Sequence, residues 1–351
     1  MSEPVILIDA MNVIVRMHFS HRHLRDSSCF PTGVLHGVLN TIADLRESVS
    51  KRIVICWDHG IPVYGAQKPH NWRDDVVKGY KAGRTKDPDV WSTICKQLPK
   101  LHDALNLLGY QSVAVMGLEA DDVIGILASE LHEEVLIFST DQDFYQLLDE
   151  TRVDRNRTAV VDNGISILVP KKEKGKFARI YQSNVERKFG IPVCRWAEYL
   201  ALGGDKSDNI KPVRGMGPKT AIKLIQSGVD LRRPFSLQPP EFQEKYGPSF
   251  EETGHGLMWG SIGRSYKAAR LPRSRKDPRV AQLCQMMESV FSGYQSWAND
   301  STERFCKQKF IEFCAEHDLN SLLALRHELF NTKGNSPCQH TEASPKTKRR
   351  A

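Results

Sequence analysis

No C-x-x-C pair occurs in this chain: its eight cysteines stand at 29, 56, 95, 194, 284, 306, 314 and 338. That spacing gives no support to a structural zinc site built from close cysteine pairs, and it fits reduced thiols in the cytoplasm. No apolar run approaches the ~20 residues that a membrane span requires. The start, "MSEPVILIDA", has no basic region before its short hydrophobic run, so a buried strand is expected there and a signal peptide is not. Also missing is a glycine-rich turn after that run. "LIDA" passes directly into "MNVI", which weakens the reading as a dinucleotide-binding enzyme. No internal repeat is evident.

What is present is a globular composition, 40% hydrophobic and 26% charged over 351 residues, enough for two domains with a substantial core. The formal charge of +7 permits nucleic-acid binding without requiring it. It becomes informative because acids cluster at particular motifs and bases fill the segments between them. The runs at 5–8 and Ile53–Trp57 are apolar throughout and end at Asp9 and Asp58; Val135–Phe138 is followed by Ser-Thr and then Asp141. Near-continuous apolar strands separated by helix-length segments (32–48, 93–108 and 120–131, with a further strand at 111–116) predict a parallel sheet covered on both faces. Residues 1–180 are therefore expected to form an α/β domain, with ligands at the carboxyl edge of the sheet, where the aspartates converge. Residues 60–90 are expected to be a flexible basic segment, and "KKEKGK" (171–176) a solvated loop. From 181 the pattern turns helical, at 183–189, 195–202 and 219–226, the last with Pro218 in its first turn. Residues 230–280 yield no assignment; 281–291 and 306–317 look helical again. A helical domain is thus expected over 181–330, followed by a disordered basic tail at 331–351.

The acids of interest are Asp9, Asp58, Glu119, Asp121, Asp122, Asp141, Asp143, Asp205 and Asp208. Glu119 and Asp122 are three apart and share a helical face. Any one of these alone reads as a helix cap or a solvated end. Together in one cleft they repel each other, and hard cations offset that cost. An oxygen-only donor set favours Mg²⁺ or Mn²⁺ over zinc, and two such ions about 4 Å apart can activate water and stabilise a departing oxygen in phosphodiester hydrolysis. Facing them are Arg73, Lys78, Lys81 and Arg84, each of which alone reads as a solvated charge. Arg73 and Lys81, eight apart, are expected on one helical face gripping the scissile phosphate, with Tyr80 stacking on an unpaired base. Gly215, Met216 and Gly217 form a turn that, with Lys219, Thr220 and the helix start, suits a phosphate backbone. Asp205 and Asp208, just ahead of it, would complete the metal cluster from the second domain.

In order, "LIDAMN", "CWDHG", "WRDDVVKGYKAGR", "GLEADDVIG", "STDQDFYQLL" and "LGGDKSDNIKPVRGMGPKTA" resemble the motifs of the structure-specific 5′ nucleases, the family of flap endonucleases and of the 5′–3′ exonuclease domains of bacterial DNA polymerase I and phages. The resemblance covers roughly residues 5–230; beyond it no pattern matches. It implies a PIN-like nuclease domain followed by a helix–three-turn–helix region that binds duplex backbone, with K⁺ held by carbonyls at the 215–217 turn. It further implies metal-dependent hydrolysis at 5′ flaps, junctions and 5′ ends of branched or nicked DNA. Glu119, Asp121, Asp141 and Asp143 match acids of one metal region, Asp205 and Asp208 those of the second; Asp9, Asp58 and Asp122 match positions acting directly or through water. With no polymerase domain following, a stand-alone monomeric enzyme is expected, working beside replication proteins and away from membranes. Two rivals stay open: removal of RNA from RNA–DNA hybrids in the manner of ribonuclease H, and a non-catalytic branched-DNA-binding protein.

Overall fold

The strands at 5–9, 53–57 and 135–138 form because apolar residues run there almost without interruption. In the computed structural model, β1 (Val5–Asp9), β2 (Ile53–Trp57), β3 (Gln111–Ala114), β4 (Val135–Phe138), β5 (Ile165–Pro170) and β6 (Phe177–Ile180) make one sheet of order β3-β2-β1-β4-β5-β6. All neighbours are parallel except β5 and β6, an antiparallel pair. The structure describes residues 3–58, 70–84, 87–151, 164–173, 175–212, 216–233, 238–246, 261–286, 306–320 and 322. Residues 60–69 and 85–86 of the expected flexible stretch, Gly215 and the basic tail lie outside them.

Alternation along β1 explains the unbroken apolar run. Val5 and Leu7 enter one core with α5 (Ala120–Glu130), while Ile6 and Ile8 enter another with α1 (Ala10–His21), α2 (Gly33–Ser48) and α4 (Pro88–Leu107). Both faces are covered, so no polar alternation appears in the sequence. β2 and β3 lie on one side of β1 and β4 on the other, so the chain reverses direction between β1 and β4. That reversal opens the crevice where ligands of such sheets bind. It is also where Asp9 and Asp141 end up.

The expected strands and helices are present with shifted ends, and α1, β5 and β6 are additions. α4 starts at Pro88 because Asp87 caps it, accepting from the backbone N–H of Asp89 at 2.9 Å and of Val90 at 3.3 Å. Between β5 and β6, residues 171–173 and 176 are exposed, as expected of a solvated loop.

The helical region opens with α6 (Gln182–Phe189), which follows the short α3 (Trp72–Val76) and the four helices above. It is closed by Gly190 in the left-handed conformation, φ 70°, which glycine adopts without strain. α7 (Trp196–Gly203) and α8 (Pro218–Gln226) then pack closely; a Cβ on Gly203 would lie 3.6 Å from that of Ala221. The stretch that resisted assignment holds α9 (Pro240–Tyr246) and α10 (Ser261–Ala269), and α10 packs against α7 and α3. α11 (Ala281–Met286) and α12 (Lys307–Glu316) follow. α12 lies on α4, where Phe310, Cys314, Leu319 and Leu322 join the second core and the Cys306 N–H donates to the Leu107 carbonyl at 2.8 Å. The seven cysteines of the described residues are free thiols.

α5 must be seated closely for the site to form. A Cβ on Gly125 would meet the Pro272 carbonyl oxygen at 2.5 Å. Gly125→Val is expected to cost ~1–3 kcal/mol through overpacking, read as a lower urea midpoint; an unchanged midpoint would show that α5 and residues 271–272 are not in this contact.

Candidate active site

Three carboxylates sit at the sheet's carboxyl edge because each terminates or follows a strand. Asp9 ends β1 and caps α1, accepting from the Asn12 N–H at 3.2 Å and the Ser139 hydroxyl at 3.0 Å. Since that carboxylate fills the helix entrance, a dinucleotide phosphate has no place there. Asp58 accepts from the Ala120 N–H at 2.8 Å, tying β2 to the start of α5. Asp141 caps a short 3₁₀ helix (Gln142–Leu147), accepting from the Asp143 N–H at 2.9 Å. Burial, then the neighbouring Asp58 charge, pushes the Asp9 carboxyl up to about 7, with Asp141 adding to it.

At the start of α5, Glu119, Asp121 and Asp122 face Arg73. The guanidinium donates to both Asp122 oxygens at 2.7 Å and to Glu119 at 3.3 Å, while its Nε donates to the Ala268 carbonyl at 3.1 Å. Burial disfavours its charge, but Asp121 and Asp122 outweigh that and hold Arg73 firmly protonated. The expected phosphate grip by Arg73 is therefore corrected: the residue is 1% exposed, and its donors are spent on Asp122, Glu119 and the Ala268 carbonyl. Asp122 is corrected likewise. It is fully buried, and besides Arg73 it accepts from the Trp72 indole at 3.1 Å and the Glu119 N–H at 3.1 Å, so it positions Arg73 instead of facing a metal. The shared helical face of Arg73 and Lys81 does not form, because α3 ends at Val76 and Lys81 has φ 56°.

Tyr80, expected to stack on a base, is also corrected to the interior. It is 4% exposed, and its hydroxyl lies 2.7 Å from Asp208 and 3.0 Å from Glu119; a single phenolic proton serves one at a time. Lys81 donates to both Glu119 oxygens at 2.7 Å, and Arg84 donates to Asp208 at 2.7 Å and to the Ser207 carbonyl at 2.8 Å. Burial opposes the Lys81 charge, but Glu119 prevails and raises its ammonium to about 12. These bonds join the segment after β2 to the start of α5 and to the loop before α8.

That loop supplies the second acidic pair. Asp205 pairs with Ile210 through two backbone bonds of 2.8 Å, closing a tight loop that presents Asp205 and Asp208 together. Asp143, Asp205 and Asp208 each bring a carboxylate oxygen within 4.8 Å of the others. Burial, followed by repulsion from Asp141, holds the Asp143 carboxyl well above its usual range, and burial also raises Asp141 and Asp121. One Asp121 oxygen is buried without a hydrogen bond, 3.5 Å from the Arg73 guanidinium. Converging carboxylate oxygens and mutual repulsion are what a hard divalent cation satisfies, so Asp143, Asp205 and Asp208 fit one.

At the start of α8, Gly217 caps the helix, and Gly217 and Lys219 are exposed while Thr220 is half-buried. Lys78 is exposed. Residues not singled out from sequence also build the centre: Asn12 accepts from the Thr140 N–H at 3.2 Å, and Gln146 donates to the Ala269 carbonyl at 3.1 Å and accepts from the Leu271 N–H at 2.9 Å. The only sequence signal for Gln146 was its place in "STDQDFYQLL".

Fold and site together define an α/β protein with a carboxylate metal centre at the switch point of its sheet. Residues 4–190, over half of the chain, match the model of the 5′–3′ exonuclease N-terminal resolvase-like domain, and the chain belongs to this 5′–3′ exonuclease family. It is similar to the 5′–3′ exonuclease of Buchnera aphidicola subsp. Schizaphis graminum, 30% identical over 235 residues that span 66% of this chain and 72% of that protein. With DNA polymerase I of Deinococcus radiodurans the identity is 31% over 227 residues, 64% of this chain but only 21% of the polymerase. Among solved structures, the bacteriophage T5 flap endonuclease in a complex with DNA and metal ions superposes with a TM-score of 0.56 at 16% identity, covering 86% of this chain and 99% of that one. Flap endonuclease-1 from Methanococcus jannaschii gives 0.50 at 13% identity, over 88% and 94%. At these identities the structures show the shared fold.

Removing one partner of the Arg73–Asp122 pair leaves a buried charge uncompensated. Arg73→Ala is expected to destabilise by about 3–5 kcal/mol, measured by urea unfolding, and a loss below ~1 kcal/mol would contradict the pair's place in the interior.

Proposed function

We propose that this chain is a divalent-metal-dependent 5′ nuclease, hydrolysing phosphodiesters at 5′ flaps, at junctions of duplex with single strand and at 5′ ends of DNA, in replication or repair. The observation that carries this reading is the convergence of Asp143, Asp205 and Asp208 beside Asp9, Asp58, Asp121 and Asp141, with Lys81 and Arg84 against the same carboxylates. Family membership supports it.

In this reading residues 1–180 are a PIN-like nuclease domain. Residues 181–330 hold a helix–three-turn–helix duplex clamp, with K⁺ carried by carbonyls at the 215–217 turn. The carboxylates hold two Mg²⁺ or Mn²⁺ ions, which, when bound, lower the pKa of water and stabilise charge on the leaving oxygen. The chain's own residues supply the rest. Asp205 and Asp208, on the loop just before the clamp, join the second region to the sheet edge, so duplex held at α8 has a fixed relation to the cleavage centre. Lys81 and Arg84, with side chains 17% and 46% exposed, are the cations nearest to an incoming phosphate and offset the charge that develops on it. Arg73, through Asp122 and Glu119, keeps the α5 entrance in place. Phosphate contacts at Gly217, Lys219 and Thr220 carry no sequence code, so recognition is of structure.

Asp141→Asn and Asp205→Asn are each expected to keep DNA binding while losing cleavage by about 10²–10³-fold, measured on a 5′-labelled flap with Mg²⁺ and with chelator. Metal-dependent release of the intact flap by the parent supports the reading; parental cleavage by either variant removes that residue's role. Faster loss of RNA from an RNA-primed duplex would place primer removal first. Binding of both substrates without cleavage would identify a non-catalytic DNA-binding protein.

A further inference from the structure

Residues 261–280, which carry no recognisable sequence motif, hold an open cavity of about 400 Å³ bounded by Gly263, Tyr266, Lys267, Arg270, Asp277 and Arg279. Its volume is that of a small-ligand site. Arg279 is a fixed wall: it chelates Asp277 at 2.9 and 2.7 Å, donates to the Lys267 carbonyl at 2.8 Å and stacks over the Trp72 ring at 5.0 Å. Its charge is thereby matched by Asp277. Lys267 and Arg270 are three apart, one at the end of α10 and one just past it, and both are exposed. Arg270 keeps only a 3.6 Å contact to Asp277, and no carboxylate pairs with Lys267 among the described residues. One acid against three cations leaves the cavity positive, with the Tyr266 ring as its apolar wall. The two residues between Lys267 and Arg270 are Ala268 and Ala269, whose carbonyls receive Arg73 and Gln146. The cavity is thus anchored to the carboxylate centre through single side chains.

We propose that this cavity is an auxiliary site for the single-stranded part of the DNA substrate, one phosphodiester lying on Lys267 and Arg270 and its base against Tyr266. The inference rests on the nuclease reading above and names a contact for the strand beyond the junction. Charge complementarity selects a phosphate-bearing ligand, and the aromatic wall, together with the tie to the cleavage centre, favours a strand over a free anion.

The test compares Lys267→Gln/Arg270→Gln with the parent on two DNAs sharing one duplex, flush or carrying a 5′ tail. Binding is read by fluorescence anisotropy in chelator, and cleavage separately in Mg²⁺. The double variant is expected to bind the tailed DNA roughly tenfold more weakly, to bind the flush DNA as the parent does, and to show a salt slope on the tailed DNA lower by about 0.7, the value for one lost single-strand phosphate contact. Cleavage of the tailed DNA should rise in KM with kcat unchanged. Equal loss on both DNAs, or no loss on either, overturns the proposal, as does full displacement of the tail by millimolar inorganic phosphate. If the parent cleaves nothing in Mg²⁺ while the tail-specific binding loss holds, the nuclease reading fails and the strand site stands.

Discussion

Like charges brought to one place have to be held there, and in this molecule the holding is done from below by Arg73. Its guanidinium binds both oxygens of Asp122 and one of Glu119 and reaches back to the Ala268 carbonyl, so one buried cation joins the segment after β2, the start of α5 and α10. An isolated buried charge of this kind costs several kcal/mol. The pair persists because every partner is present, and its consequence is positional. Asp121 stands at the margin of this pair, one oxygen 3.5 Å from the Arg73 guanidinium and without a hydrogen bond.

The remaining carboxylates are arranged by a different means. Asp9, Asp58 and Asp141 are placed by the sheet itself, at or just after the ends of the neighbouring parallel strands β1, β2 and β4. Asp205 and Asp208 arrive on a short loop closed by the Asp205–Ile210 backbone pair. Two independent scaffolds thus aim their acids at one volume, and neither could hold a full set of ligands alone. Lys81 and Arg84 bridge them, which couples the segment after β2 to both scaffolds.

Much of this was legible in the sequence for identifiable reasons. Strands buried on both faces write an unbroken apolar run, and a carboxylate at the end of such a run sits at the sheet edge whatever the loops do; Asp9, Asp58 and Asp141 follow from that alone. β6 was missed because FARI has no comparable run, β5 was overlooked although ISILVP is apolar, and α10 was missed because its packing partners, α3 and α7, lie far away in sequence. The roles of Arg73, Tyr80 and Asp122 were misplaced for the same reason. Spacing says which residues share a face only within one regular element, and here α3 stops after Val76. What decides their burial is contact with Ala268, Trp72 and Asp208, which no local pattern encodes.

The claim on which the rest depends is that the two acidic scaffolds form one cation centre, and anomalous diffraction from crystals soaked in Mn²⁺ tests it directly. The account predicts anomalous density bounded by oxygens of Asp143, Asp205 and Asp208, with Asp208 released from Arg84. Mn²⁺ bound elsewhere, with Asp208 still held by Arg84 and Tyr80, would contradict it.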